Sequence, residues 1–262
     1  MKIISLGMGV QSTCLYLMSS MNLYEKADYA IFADPGAESN ETYKMLDWLL
    51  NWGKNNNGIP IIINKEKNIL KDVLNLTNSS GQNYITIPVF NSQGKPVTRQ
   101  CTMEYKIRPV VKEIRKLYKL KKHFNLPKTE LWLGISIDEV SRMKENRIKP
   151  LKNKFPLIEK MYSRQDCIDF FKKNNFPIPV KSSCVFCPYT SNSTWKERKK
   201  SNNTEWKTAV KVDKKIRNSY KENNYLISKV YLHKQCKPLE EVYFGEDQLD
   251  LFENECEGHC GL

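Results

Sequence analysis

Short apolar runs that stop at turn-forming residues alternate along this chain with stretches of helical spacing. Lys2 to Leu6 is the first such run; it ends at Gly7 and Gly9, and from Gln11 to Met21 the positions Leu15, Leu17, Met18 and Met21 recur as a helix requires. Tyr29 to Ala33 is a second strand, closed by Asp34-Pro35-Gly36, after which Asn40 is placed to cap a helix with Tyr43, Leu46, Leu49 and Leu50 inside. Ile59 to Ile63 reads as a third strand, with Pro60 near its start where a missing donor is tolerated. Leu131 to Ile135 reads as a fourth and ends at the polar segment Ser136-Ile137-Asp138-Glu139. Strand and helix in alternation predict an α/β fold whose mostly parallel sheet is doubly wound, with ligands gathering at the carboxyl ends of its strands.

Elsewhere the pattern is less regular. Residues 75–97 are polar and turn-rich around Tyr84 to Phe90, which predicts a mobile loop with a short hairpin. Arg108 to Lys122 reads as a basic amphipathic helix with Val110, Val111, Ile114, Leu117 and Tyr118 on its inner face. Thr194 to Glu222 is dense in Lys and Arg around Trp195, Trp206, Val210 and Ile216, which predicts a helical C-terminal appendage. The resulting division is a nucleotide-binding domain over 1–190, a basic helical appendage over 191–239 and an acidic, cysteine-bearing tail over 240–262.

Charge sharpens that division. The net charge is +13, but residues 240–262 hold eight carboxylates and no Lys or Arg, so the first 239 residues carry 42 basic against 21 acidic side chains. A basic body suits a polyanion such as tRNA or DNA, whose counterions are released on binding; lysine-driven solubility explains the same composition. No apolar run approaches the roughly 20 residues that span a bilayer, and the N-terminus turns glycine-rich before a signal core forms, so a cytoplasmic protein with no membrane partner is expected. Eight cysteines in 262 residues are too few for a disulfide scaffold. Cys14 and Cys167 sit in apolar company and read as packing residues, and His123 and His233 read as surface or packing residues.

The candidate chemistry lies in four places. In Ser5-Leu6-Gly7-Met8-Gly9-Val10-Gln11-Ser12-Thr13 the glycines allow close approach, and Ser12 and Thr13 open a helix whose amides and dipole favour an anion. A Walker loop would carry Gly-Lys-Ser or Gly-Lys-Thr here, and this chain does not. Asp34, at the end of the second strand, is placed for a ribose, an adenine amine or a magnesium shell. Asp138, Glu139, Arg142 and Lys144 follow the fourth strand at the same sheet edge, where the cations suit phosphate or sulfate oxygens. Cys184-Val185-Phe186-Cys187 is half a zinc site, a redox pair or two ligands of an iron-sulfur cluster.

These segments resemble, in order over about residues 1–190, the PP-loop adenine-nucleotide alpha-hydrolase superfamily and within it the phosphoadenosine phosphosulfate (PAPS) reductase family. The turn is similar to the family's Ser-Gly-Gly-x-Asp-Ser loop: Gly9 keeps the second glycine, Met8 stands at the first, Gly7 replaces the leading serine and Gln11 the aspartate. Asp34-Pro35-Gly36 through Glu41-Thr42-Tyr43 resembles its Asp-Thr-Gly…Glu-Thr-Tyr segment. Arg99-Gln100-Cys101-Thr102 with Lys106 and Pro109 resembles its Cys-Cys…Arg-Lys…Pro segment. Gly134-Ile135 with Asp138, Glu139 and Arg142, and Phe155-Pro156-Leu157, resemble two further stretches.

The resemblance implies a Rossmann-like nucleotide domain. Ser5, Gly7, Gly9, Gln11, Ser12, Thr13, Asp34, Gly134, Asp138, Arg142 and Lys144 would hold ATP or another adenine nucleotide with Mg2+. It also implies a 4Fe-4S cluster on Cys101, Cys184 and Cys187, with zinc as the rival. Where cluster-bearing relatives have two adjacent cysteines, this chain has Cys101-Thr102, which leaves one iron open, as in cluster-dependent tRNA thiolases. The tail, with Cys256, His259 and Cys260, resembles the Glu-Cys-Gly end of sulfonucleotide reductases, so Cys101, Cys256 and Cys260 are the candidate catalytic thiols.

Two enzymatic readings follow: ATP-dependent thiolation of a nucleic acid, tRNA or DNA, through an adenylated intermediate, or reduction of a sulfonucleotide by a tail cysteine. A third is a nonenzymatic redox- or nucleotide-sensing nucleic-acid binder. Thiolation needs a sulfur donor and reduction a thiol reductant as a partner, and a homodimer is compatible with all three readings.

Overall fold

The computed structural model describes residues 1–97, 99–121, 123–222 and 228–245. Cys256, His259 and Cys260 therefore lie outside the described residues. The chain opens with β1 (Lys2–Ser5), α1 (Val10–Ser20), β2 (Tyr29–Ala33), α2 (Asn40–Asn55), β3 (Ile61–Asn64) and α3 (Ile69–Leu74). A hairpin of β4 (Val89–Asn91) and β5 (Pro96–Val97) precedes α4 (Arg108–Leu117), β6 (Thr129–Leu133) and β7 (Leu151–Lys154). Helices α5 (Pro156–Glu159), α6 (Arg164–Lys173), α7 (Asn192–Ser201) and α8 (Thr204–Arg217) follow, and then the short β8 (Val230–Tyr231).

The fold is α/β. Five parallel strands form one sheet in the order β3-β2-β1-β6-β7. Because successive residues of a strand face opposite ways, Ile4, Ala30, Phe32 and Trp132 meet α1, α2 and α6 on one face, while Ile3, Ile31, Leu131 and Leu133 meet Val110 and Ile114 of α4 on the other. Helix α1 is buried along nearly its whole length. Chain order reverses between β1 and β6, so the two strands leave a crevice at their carboxyl ends.

Several boundaries differ from the expected ones. The third strand begins two residues later than expected, and the fourth covers Thr129–Leu133 rather than 131–135. Ser39, not Asn40, caps α2, its hydroxyl accepting from the Thr42 amide at 3.3 Å. The basic helix stops at Leu117, where a left-handed turn at Lys119 follows.

Two larger corrections concern the second half. Residues 84–90 are not a mobile loop: Ile85, Ile87 and Val89 are at most 3% exposed and belong to a core shared with Val73, Val185 and Phe186. The helices expected to form an appendage contribute Trp195, Trp206, Ala209, Val212 and Ile216 to that same core, with α8 packed on α3 and α7 on α8. A three-stranded sheet, β5-β4-β8, closes its outer side.

Candidate functional site

A cavity of about 220 Å³ lies at the carboxyl ends of β1, β2 and β6. Its floor is the glycine turn and the start of α1, with Ser5, Gly7, Gly9, Gln11 and Ser12 all lining it. The first bond of the helix runs from the Thr13 amide to the Gly9 carbonyl at 3.0 Å, so the amides of residues 10–12 stand outside the helical ladder. Gly9 supplies no side-chain cap, and the first turn carries no acidic residue. That is the electrostatics an anion requires.

The turn itself departs from ordinary backbone at Met8, whose φ is +60°, while its side chain is 1% exposed in the core. A left-handed residue with a β-carbon costs about 1 kcal/mol or more, and burial of the methionine offsets it. Gly134 is required for another reason. A β-carbon there would stand 2.6 Å from both the Cα and the amide nitrogen of Ser12, so the end of β6 fits against α1 only without a side chain.

Four cations line the walls: Lys106, Arg142, Arg164 and Lys181. Against them stands Glu139, which pairs with Arg142 and accepts from the Gln11 side-chain amide at 3.5 Å. Lys106 arrives there on a π-helical turn, Met103–Ile107, that joins Cys101 to α4. Such turns are rare and recur at functional sites.

Lys106 also links the cavity to the thiols. Its ammonium lies 3.3 Å from Oε1 of Glu38, whose side chain is wholly buried, and Oε2 of Glu38 accepts from the Ser182 hydroxyl at 3.0 Å. Ser182 lines the same cavity, and Glu38 pairs through its backbone with Cys184 in an isolated antiparallel bridge. Burial pushes the Cys184 thiol well above its ordinary value; Glu38 pushes the same way, Lys106 opposes, and both Cys187 and Cys101 act on it electrostatically. Burial also raises the Cys101 thiol, against Lys106 and Arg99. Cys184 and Cys187 thus share one turn, Cys101 acts on Cys184 electrostatically, and Glu38, paired with Lys106, ties that turn to the cavity.

The loop that carries two of them is held from behind. Arg198, 7% exposed, donates to the Val185 carbonyl at 2.9 Å and pairs with Glu205 at 3.2 Å; Glu205 in turn accepts from the Asn40 amide at 2.8 Å. The Cys187 amide donates to the Cys184 carbonyl at 2.9 Å, which closes the turn. Among the described residues no three His, Cys, Asp or Glu side chains stand as a preformed metal-ligand group.

Four expected site residues sit elsewhere. Thr13 is fully buried and does not line the cavity. Asp34 uses one oxygen, Oδ1, to accept from the Gly36 amide and the Tyr43 hydroxyl, both at 2.8 Å, and so fixes the turn after β2. Asp138 accepts from the Arg164 amide and, at 3.3 Å, from the Ser136 hydroxyl, which ties the start of α6 to the rim. Lys144 lines a different cavity, at the other end of the strands. Conversely, Lys106, Arg164, Lys181, Ser182 and Glu38 were not among the expected site residues. Lys106 and Glu38 lie inside motif segments, and Ser182 lies two residues before Cys184, which is the signal in the sequence that marks them.

No family model matches the chain, and no curated protein does.

Proposed function

We propose that this chain is a PP-loop enzyme of the PAPS reductase-like kind, with a doubly wound, Rossmann-like nucleotide domain. Its reaction is the ATP-dependent thiolation of a nucleic acid. The observation that carries the reading is the connection Lys106–Glu38–Cys184: a cavity with the charge and helix terminus for a polyphosphate is joined through one ion pair to the segment that carries Cys184 and Cys187.

The residues divide the work. Amides 10–12 and Gly9 receive the phosphates of an adenine nucleotide, and Lys106, Arg142, Arg164 and Lys181 offset the charge that builds on departing pyrophosphate. Mg2+ would enter on the phosphates themselves, because Glu139, the carboxylate lining the cavity, is held by Arg142. An oxygen of the acceptor base attacks the α-phosphorus; the bond to pyrophosphate breaks and an adenylated acceptor forms. A cysteine persulfide, loaded by sulfane-sulfur transfer from an external persulfide donor that leaves as its thiol, attacks the adenylated carbon through its outer sulfur and displaces AMP. A second cysteine then attacks the inner sulfur, freeing the thiolated base and leaving a protein disulfide that an external thiol reductant reopens.

Cys101, Cys184 and Cys187 also have the donor chemistry for a metal: three thiols from two segments, with the Lys106 ammonium favouring the thiolates of Cys101 and Cys184. An iron-sulfur cluster is our first assignment and zinc the rival; when bound, a cluster would supply a place for the sulfur. The test is incubation of anaerobically purified protein with labelled ATP, with and without RNA or DNA, alongside iron, sulfide and zinc analysis. Pyrophosphate release stimulated by nucleic acid is expected. Sulfite release from a labelled sulfonucleotide instead would assign the chain to reduction, and binding without either turnover would make it a sensor.

A further inference from the structure

A second cavity, about 1080 Å³, opens at the opposite rim of the sheet, where β1, β6 and β7 begin. Lys2, Lys26, Lys128, Lys144, Lys149 and Lys152 line it, against Asp28, Glu130 and Glu145. Register sets three of these charges in one row: Lys2 stands opposite Glu130 across β1 and β6, and Glu130 opposite Lys152 across β6 and β7. Two of the three acids are engaged in the fold. Asp28 accepts from the Lys2 amide at 2.7 Å and Glu130 from the Trp132 indole at 3.0 Å. Lys2 pairs with Glu25, but Lys128, Lys144, Lys149 and Lys152 are exposed and, among the described residues, enter no ion pair.

We propose that this cavity seats the phosphodiester backbone of a polynucleotide strand, the acceptor of the reaction above; the inference rests on that reading of the acceptor. A concave wall with surplus charge of one sign concentrates its field on a polyanion. Its cations are all lysines, point charges on flexible stems, which hold a backbone without reading base edges as an arginine fork does. The position also fits the chemistry. The segment from Arg142 to Asn146 joins the two cavities, with Arg142 in the nucleotide cavity, Lys144 in the lysine cavity and Asn146 lining both. A strand held on the lysines therefore runs along a wall that the nucleotide cavity shares.

The test compares the full-length protein with K128E/K149E/K152E and with K200E/K207E/K211E, which makes the same change in net charge at exposed positions on α7 and α8. Labelled (rU)20, (dT)20 and anionic phosphatidylserine vesicles are the probes, and ATP binding checks that each variant is intact. The first variant is expected to lose at least tenfold in oligonucleotide affinity, with a salt slope smaller by about 2, and the second to lose far less. The milder K128Q/K149Q/K152Q should fall between the first variant and wild type. Equal losses in the two reversal variants, or none in the first, would overturn the placement while leaving the nucleic-acid acceptor standing. Wild-type protein that binds neither oligonucleotide would remove the acceptor reading and this site with it. Loss of vesicle binding alone would assign the cavity to a lipid surface and overturn the proposal.

Discussion

Gly134 and Ser12 are in backbone contact: the end of β6 lies so close to the first turn of α1 that a β-carbon at Gly134 would come within 2.6 Å of the Ser12 backbone. The obstacle is main chain, so no rotamer change relieves it. Gly134→Ala must push the start of α1 away from the strand. We expect a loss of about 2 kcal/mol in urea unfolding, the usual cost of overpacking, together with at least tenfold weaker ATP binding by calorimetry. Unchanged affinity would mean that the start of α1 does not hold the phosphates.

Gly9 provides the contrasting case. A β-carbon there meets nothing within 4 Å, and the φ of −87° suits any residue. Gly9→Ala should therefore leave stability within about 0.5 kcal/mol and still impair ATP binding, because the added methyl occupies space beside the helix amides. A variant that binds ATP normally would place the nucleotide elsewhere.

Lys106 and Glu38 act on the Cys184 thiol with opposite signs. Lys106→Met removes the cation that lowers both Cys184 and Cys101, so alkylation of Cys184 by iodoacetamide should move to higher pH and ATP should bind more weakly. Glu38→Gln should move the same alkylation curve to lower pH. Mass spectrometry of the Cys184 peptide reads both, and shifts in the same direction for the two variants would contradict the arrangement.

The strands legible in the sequence were those with continuous apolar runs. β1 and β2 emerge within a residue because both faces of a central parallel strand are buried. Edge strand β7 was missed: of Leu151–Lys154 only Leu151 is buried, so its sequence, Leu-Lys-Asn-Lys, carries no strand pattern. Helix α6 was missed too, although Ser163 and Asp166 form a capping box at its start. The glycine turn, Gln11, Ser12 and Arg142 were legible as a site because short motifs hold them. Arg164 and Lys181 were not, since each reaches the cavity from a segment whose local sequence reads as ordinary surface. Asp34 and Asp138 show the reverse: each follows a strand where a ligand is expected, but Asp34 fixes the turn after β2 and Asp138 holds the start of α6.

Arg198 tests how the cysteine loop is held. Its partners, the Val185 carbonyl and the Glu205 carboxylate, are buried with it, and removing one member of a buried pair leaves the other uncompensated. Arg198→Met should cost about 3 kcal/mol in urea unfolding. Glu205→Gln should cost less, because a side-chain oxygen remains to accept from the Asn40 amide. If the loop depends on this anchor, iodoacetamide should reach Cys184 and Cys187 faster in the arginine variant under native conditions; unchanged rates would show that the loop holds without it.

His233 predicts the pH profile of stability. It is 3% exposed, with Nε2 3.0 Å from the Asn192 amide oxygen and Nδ1 accepting from the Gln235 amide at 3.2 Å, an arrangement that requires the neutral ring. Burial, with Lys234 adding to it, lowers the imidazole from its ordinary 6.5 to about 4. Between those values the unfolded chain binds the proton and the folded chain does not, so stability rises with pH across that window. On acidification from pH 7 the histidine's share declines by about 3 kcal/mol in all and stops changing once both states are protonated. His233→Gln removes the titration and keeps a polar side chain. Urea midpoints measured from pH 7 to pH 4 should fall more steeply for the wild type than for this variant, and parallel profiles would show that His233 is not held neutral.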